Sequence, residues 1–387
     1  MSWFAEAVLP DRTQPALENV GYNEWTLSTQ AAADLYAQGA KLWTKESLWE
    51  IEQQVAEYQT REFFILRRLD GSTIRVKNPM CGKTDPIWKP AIVFHEYWKL
   101  VAMKPGFPLH GKPARHAVHP ETYHCTSLVD WVNHSLTDFE GLAVGWEAFA
   151  QQEKTLWENS ETRQLLHTRI RALVGPGTSR KANKVVCFGL PCLSRRPPAW
   201  ARLHNSKSET PESEVELMHK GSMANYGAAM AIADALREIR GEERDAIAGC
   251  PGGASVWLIT QENMYNEATK AYLRGLGFDV VGDYGAGGFA EIDDETVVLS
   301  CDTSTMGPVK QVVADIARPA IFIGLFDSED INQYWQPGCD PESPRTRKMW
   351  EGYEASEFPV AEEEVSSLDP IFNRLTVKSR LPSVGSV

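Results

Sequence analysis

The sequence predicts an α/β protein: a mostly parallel sheet flanked by helices, with an α-rich N-terminal region. Three observations predict it. Short apolar runs recur beyond residue 184, at 184–190, 256–260, 278–281, 296–300 and 320–325, and each is bounded by glycine or polar residues. Helical spacing fills most of the gaps between them. The gaps are long enough for right-handed crossovers, which is how parallel strands are joined.

The elements follow in order. Residues 1–27 carry Pro10 and Pro15 without a clear period and read as an N-terminal arm. Residues 29–58 read as helical, with Leu35, Tyr36, Ala40 and Leu42 close together and Thr44 as a cap before Glu46 and Glu50. Asp70-Gly71 lies between Phe63–Leu69 and Thr73–Val76, which is a hairpin signal. Residues 78–125, rich in Pro, Gly and His, read as irregular, and 138–174 as helical up to Gly175-Pro176-Gly177. After the strand at 184–190, the polar stretch 195–220 reads as a mobile linker. Ser222 is placed to cap a helix carrying Met223, Tyr226, Met230, Ala233, Leu236 and Ile239 and ending before Gly241. Asn266 is placed to cap a helix through Arg274, and Pro308 to open one that runs to Ala317. The acidic run Glu362–Glu364 and the basic Lys378–Arg380 read as solvent-facing appendages. The expected units are 1–27, a mixed α/β region 28–177 packed on the sheet, the sheet domain 178–330 and a C-terminal extension 331–387.

Composition narrows the function classes. The chain has 387 residues, 43% of them hydrophobic and 24% charged, which is a globular balance. Nine of its 13 Trp precede residue 160 and are expected to pack the N-terminal half. The 7 Cys are odd in number and form no CxxC pair, so neither a disulfide framework nor a zinc ribbon is indicated. The first residues, MSWFAEAVLPDR, lack a basic n-region, and no apolar run approaches ~20 residues. The expectation is a cytoplasmic protein with no membrane partner. The net charge of −13 argues against bulk polyanions such as DNA. Residues 161–210 nevertheless carry ten Lys/Arg against two acids, a net of +8 that leaves −21 on the remainder. Such a local basic surface suits a specific anionic partner.

Several constellations could carry chemistry. Cys192 and Ser194 follow the run Lys184–Phe188 and its Gly189, where a nucleophile at a strand's carboxyl end is expected. No His follows His219, so a triad in α/β-hydrolase order is excluded. Gly189-Leu190-Pro191 lacks the GxGxxG spacing, which argues against a dinucleotide site. Gly285-Ala286-Gly287-Gly288 is followed by acids that would repel phosphate, so it reads as a turn. After the next strand, Gln261 and Asn263 could fix a substrate amide, while Tyr265 and Glu267 could handle protons. Asp302, after the strand 296–300, could pair with a guanidinium. His116, His119, His124 and Cys125 have a metal-like spacing, but Pro120 breaks any helix that would align them, and no metal is expected.

The runs KVVCFGLPCLS (184–194), NYGAAMAIADAL (225–236), VWLITQENMY (256–265), GGFAEIDDETVVLS (287–300) and PVKQVVADIARPAIFIG (308–324) resemble the SRR-like (sensitivity to red light reduced) domain family. YAQGAKLWTKESLWEIEQQ (36–54) is similar to the segment preceding that domain in fungal members. Two departures stand out: Asn225-Tyr226 replaces the family's usual Gln-His, and Pro191-Cys192 its Gly-Ser-like residues. The resemblance implies a Rossmann-like sheet. Through fungal proteins similar to this group, it implies a cyclodipeptide synthase that joins two aminoacyl-tRNAs into an arginine-containing cyclic dipeptide, with no cofactor. In that reading the ester is attacked by Cys192 or Ser194, or directly by the amine of the second aminoacyl-tRNA; Tyr265 and Glu267 assist proton transfer, and Gln261, Asn263, Asn225, Tyr226, Glu291 and Asp302 hold substrate. Asp293 is a further acid for the arginyl side chain. Arg180, Lys181, Lys184, Arg195, Arg196 and Arg202 hold tRNA. The alternative is a non-enzymatic regulatory protein that binds heme or a nucleotide, with Cys192, His204 or Cys187 as iron ligand.

Overall fold

The structure, a computed structural model, describes residues 3–4, 22–83, 87–101, 122, 124–133, 141–208, 212–219, 221–241, 256–301, 307–325, 340–364 and 370–382. His116, His119 and Asp302 lie outside them. In chain order the elements are β1 (Trp3–Phe4), α1 (Tyr22–Ala37), α2 (Lys45–Ala56), β2 (Phe63–Arg67), β3 (Thr73–Lys77), β4 (Trp88–Phe94), α3 (Tyr97–Val101), β5 (Ser127–Asn133), α4 (Trp146–Glu158), α5 (Glu161–Val174) and β6 (Lys184–Phe188). They continue with α6 (Ala199–Asn205), α7 (Glu214–His219), α8 (Ser222–Ile239), β7 (Trp257–Gln261), α9 (Glu267–Gly275), β8 (Asp279–Val280), α10 (Gly287–Ala290), β9 (Thr296–Ser300), α11 (Val309–Ile316), β10 (Ile321–Leu325), α12 (Pro344–Trp350), β11 (Tyr353–Glu357) and β12 (Leu375–Arg380).

The main sheet has seven strands in the order β11-β12-β10-β9-β6-β7-β8. β6 to β10 run parallel, and β12 joins β10 antiparallel, with β11 outside it. β6 is central because its KVVCF run is apolar on both faces, as a doubly covered strand requires. Alternation then sorts the strands' side chains into two cores. Val185, Cys187, Leu258, Val297, Leu299, Ile321 and Ile323 face α4, α5 and α8. Val186, Phe188, Ile259, Val298 and Phe322 face α1, α2, α10, α11 and α12 and the antiparallel strands β2–β5. Residues 28–177, expected as one region, therefore contribute to both faces.

Local signals account for most helix starts. Thr44 caps α2 in a capping box with Ser47. Asn266 accepts the Thr269 N–H and caps α9. α8 begins at Ser222, as expected, but its cap is Gly221, whose φ of 78° suits glycine. α8 is buried nearly all round, and a Cβ on Gly227 would sit 2.3 Å from Trp157 Cδ1, so only glycine lets α4 pack there.

Several expectations are corrected. The helical stretch read from residue 29 begins at Tyr22 and forms two helices, with Gly39 at φ 100° between them and Thr44 capping the second as expected. The 138–174 stretch likewise splits at Asn159-Ser160, because Ser160 caps a new helix. Residues 78–125 contain β4 and α3, and the expected linker contains α6 and α7. The C-terminal appendages are structural. Glu364 accepts the first N–H groups of α5, from Glu161 and Thr162. Lys378–Arg380 end β12, where the alternating burial of LTVKSR continues the core. Of the N-terminal tryptophans, Trp43, Trp131, Trp146 and Trp157 are buried as expected, while Trp49 is 58% exposed. Among the described residues no helix is long and apolar enough to cross a membrane.

Candidate functional site

Parallel strands place their carboxyl ends on one edge of a sheet, and the chain leaves each end through a loop that can hold a ligand. At the end of β6 the chain turns through Gly189, at φ 68°, into Pro191, Cys192, Leu193 and Ser194. This turn lies against the start of α9. Cys192 Sγ is 3.2 Å from Thr269 Oγ1. Ser194 Oγ lies 2.8 Å from the same oxygen and donates to Asn266 Oδ1 at 2.6 Å. The Ser194 N–H also donates to Thr269 Oγ1, at 3.2 Å. Cys192 is 9% exposed and Ser194 is fully buried.

A second group of hydroxyls adjoins the first. Tyr226, in the first turns of α8, donates to the Pro191 carbonyl oxygen at 2.5 Å, and its oxygen lies 3.0 Å from that of Tyr265. Tyr265 Oη is also 3.0 Å from Thr260 Oγ1. Burial pushes both phenols well above their ordinary values. They are therefore neutral hydrogen-bonding groups at physiological pH. Glu262, a buried carboxyl that sequence reasoning passed over, acts electrostatically on both.

Other predicted residues fall elsewhere or are already engaged. Ser194 is unsuited to nucleophilic attack, because it is sealed from solvent and its proton is directed to Asn266. Glu267 is exposed at the outer side of α9, 3.0 Å from Lys270. Both ends of the Gln261 amide clamp the glycine turn, donating to Gly285 O and accepting from Gly288 N. Asn225 is buried in the first turn of α8, and Asn263 is half-buried in the turn after β7. Glu291 and Asp293 are displaced most. The crossover from β8 must return to the amino edge before β9 can run parallel. Lys184, at the first residue of β6, accordingly meets Asp293 at 2.7 Å and donates to Glu291 O.

The predicted tRNA-binding cations are divided in the same way. Arg180, Lys181 and Lys184 precede or open β6 on the amino edge, where Arg180 donates to the carbonyls of Leu173 and Arg380. Arg195, Arg196 and Arg202 follow β6 on the carboxyl edge. There Arg196 makes a bidentate pair with Glu214, whose carboxyl it holds below the ordinary range. Arg195 bridges to Leu142, and Arg202 lies on α6. Cys187 is fully buried within β6 beside Cys301, so it cannot ligate a group outside the core.

Buried carboxylates complete this edge. Glu52 of α2 accepts N–H bonds from Tyr284, Ala286 and Gly287 in the turn after β8, which Gln261 also holds. Burial pushes its carboxyl above the ordinary range, and those three donors oppose the shift. Glu96, just before α3, accepts from Gln311 of α11 at 3.1 Å, and Gln311 also accepts the Tyr97 N–H and donates to Pro341 O. Burial raises the Glu96 carboxyl to about 7. Neither carboxylate stood out in the sequence, where both sit among apolar helix-face or strand-end neighbours. Among the described residues no three His, Cys, Asp or Glu are grouped to hold a metal ion.

Fold and site together define a mostly parallel α/β protein with Cys192, Cys301 and several buried hydroxyls at the carboxyl ends of its central strands. Compared with family models, curated proteins and solved structures, the chain gives no match in any of the three.

Proposed function

We propose that this chain is an aminoacyltransferase of SRR-like, Rossmann-like type that forms an arginine-containing cyclic dipeptide from two aminoacyl-tRNAs, with Cys192 as the nucleophile. The strand order supports the architecture. Numbered along the chain, the five parallel strands lie 3-2-1-4-5, the order of doubly wound dinucleotide folds. The observation that carries the chemistry is the position of Cys192. Its sulfur lies at the carboxyl end of the central strand, and Arg195, Arg196 and Arg202 follow on the next stretch of chain.

The Cys192 sulfur attacks the ester carbonyl of the first aminoacyl-tRNA. The thiol proton passes to solvent, a C–S bond forms, the ester C–O bond breaks, and the terminal tRNA oxygen takes up a proton from solvent and leaves as the hydroxyl. The amine of the second aminoacyl-tRNA then attacks the thioester; a C–N bond forms, the C–S bond breaks, and the amine proton returns to sulfur. The free amine of the resulting dipeptidyl-tRNA closes the ring on its own ester and transfers its proton to the departing tRNA hydroxyl. Tyr226 and Tyr265 supply neutral hydroxyls beside the reacting carbonyls, and Glu262, which bears electrostatically on both, serves among the described residues as the acid for an arginyl side chain. Incubating the protein with arginyl-tRNA and a panel of other charged tRNAs, with mass spectrometry of the products, tests this. A cyclic dipeptide that disappears with Cys192→Ala is expected. No product from any pair would overturn the proposal.

A further inference from the structure

Thr269, buried in the first turn of α9, is singled out by no motif, yet its hydroxyl touches Cys192, Ser194 and the Ser194 N–H. The direction of each bond follows from counting protons. Asn266 Oδ1 can only accept, and it already accepts the Thr269 N–H, which fixes it as the oxygen of the amide. Ser194 has one hydroxyl proton and directs it to that oxygen. Ser194 Oγ must then accept from Thr269 in their 2.8 Å contact. The single Thr269 proton is thereby committed, so in the 3.2 Å contact with Cys192 the thiol is the donor. In the resting protein the chain runs Cys192 → Thr269 → Ser194 → Asn266.

The nucleophile in thiol chemistry is the thiolate, which can only accept. Once the proton leaves to solvent, the contact with Thr269 survives only if the chain reverses. We infer that Thr269 is a positioning residue that turns its hydroxyl onto the Cys192 sulfur when the thiol proton departs, while Ser194 releases Asn266 and donates to Thr269. Two hydroxyl rotations accomplish this without moving the backbone. Asn266 keeps its bond to the Thr269 N–H and α9 keeps its cap. The reversal gives up the Ser194–Asn266 bond, so Ser194 opposes the reactive state and Thr269 supports it.

This opposition distinguishes a switchable chain from plain packing. The inference rests on the proposed function only for the choice of Cys192 as nucleophile, and its test uses no tRNA. Iodoacetamide labelling of Cys192 at pH 7.5, resolved peptide by peptide by mass spectrometry in the full chain, gives the rate. Thr269→Val should slow labelling about tenfold, and Thr269→Ser should restore it to within about twofold. Ser194→Ala should speed it about threefold. Where Ser194→Ala does not melt like the wild type, Asn266→Ser serves instead. Serine still caps the helix, but it is too short to hold the Ser194 hydroxyl, so labelling should again quicken. Rates that shift in one direction for both Thr269→Val and Ser194→Ala, an unchanged rate in Thr269→Val, no rescue by serine, or no labelling of folded Cys192 would overturn the inference. Loss of cyclic dipeptide formation alone would bear only on the proposed function.

Discussion

The two edges of the main sheet solve the problem of their polar groups differently. At the amino edge, charged side chains pair near solvent: Lys184 with Asp293, and Arg380 with Asp294. At the carboxyl edge, outside the Arg196–Glu214 pair, buried polar groups are bonded to backbone, hydroxyls or side-chain amides, as with Glu52, Glu96, Ser194 and Tyr226. Exposed ion pairs contribute little, because water screens them. A buried acceptor taken from its donors leaves those donors unsatisfied, which costs much more. The carboxyl edge is therefore where the molecule is sensitive, and it is also where the Cys192 thiol stands.

The largest effect is expected at Glu52. Glu52→Ala strips the acceptor from three N–H groups of the 284–287 turn and should destabilise the protein by about 3 kcal/mol in urea denaturation. Lys184→Ala, at the amino edge, should cost less than about 1 kcal/mol. Equal losses would erase the contrast between the edges.

Glu96 gives a pH-dependent version of the same comparison. Its carboxyl binds a proton at about 7 when folded, against an ordinary value of 4.5. The folded protein therefore holds more protons than the unfolded chain between those values. The stability that the neutral carboxyl contributes is complete below about 4.5 and is lost as the pH rises through about 7. Glu96→Gln keeps the acceptor for Gln311 without the charge. It should exceed the wild type by about 2–3 kcal/mol at pH 8 and by less than about 1 kcal/mol at pH 5, read from urea midpoints. A gap that does not narrow on acidification would show that Glu96 does not titrate in this range.

The smallest effect concerns the cations. Arg195→Ala with Arg202→Ala should weaken retention of arginyl-tRNA on a filter about tenfold at constant salt. Lys181→Ala with Lys184→Ala should change it less than about twofold. The reverse ranking would place the carrier at the amino edge and separate it from Cys192.

Much of the local structure was legible in the sequence. Thr44 and Asn266 cap helices as their side chains allow, Asp70-Gly71 turns a hairpin, and the five apolar runs become the five parallel strands. What escaped is contact between distant parts of the chain. The basic window looked like one surface because its residues are adjacent in sequence. A five-residue strand nevertheless carries the chain about 16 Å across the sheet, and it divides Lys184 from Arg195. Glu52 reads as one acid among several on an amphipathic helix, and only a turn 232 residues away gives it a role. LTVKSR ends in cations and reads as a tail, although its alternate residues Leu375, Val377 and Ser379 are buried. Thr269 carried no signal, since a threonine in a helix is unremarkable until its partners are known.

The antiparallel β12 also sets a timetable. β10 lies between β9 and β12, and its outer row of backbone groups is satisfied only by Leu375–Arg380. During synthesis the ribosome must release more than fifty further residues after β10 before that row can close. Until then the nascent sheet presents an apolar, unpaired border that another chain could extend. Once β12 is in place, β11 is the outermost strand there and carries Glu354 and Glu357, charges that discourage such extension. At the opposite border β8 is only two residues long. With β12 paired, the described sheet is guarded at both borders.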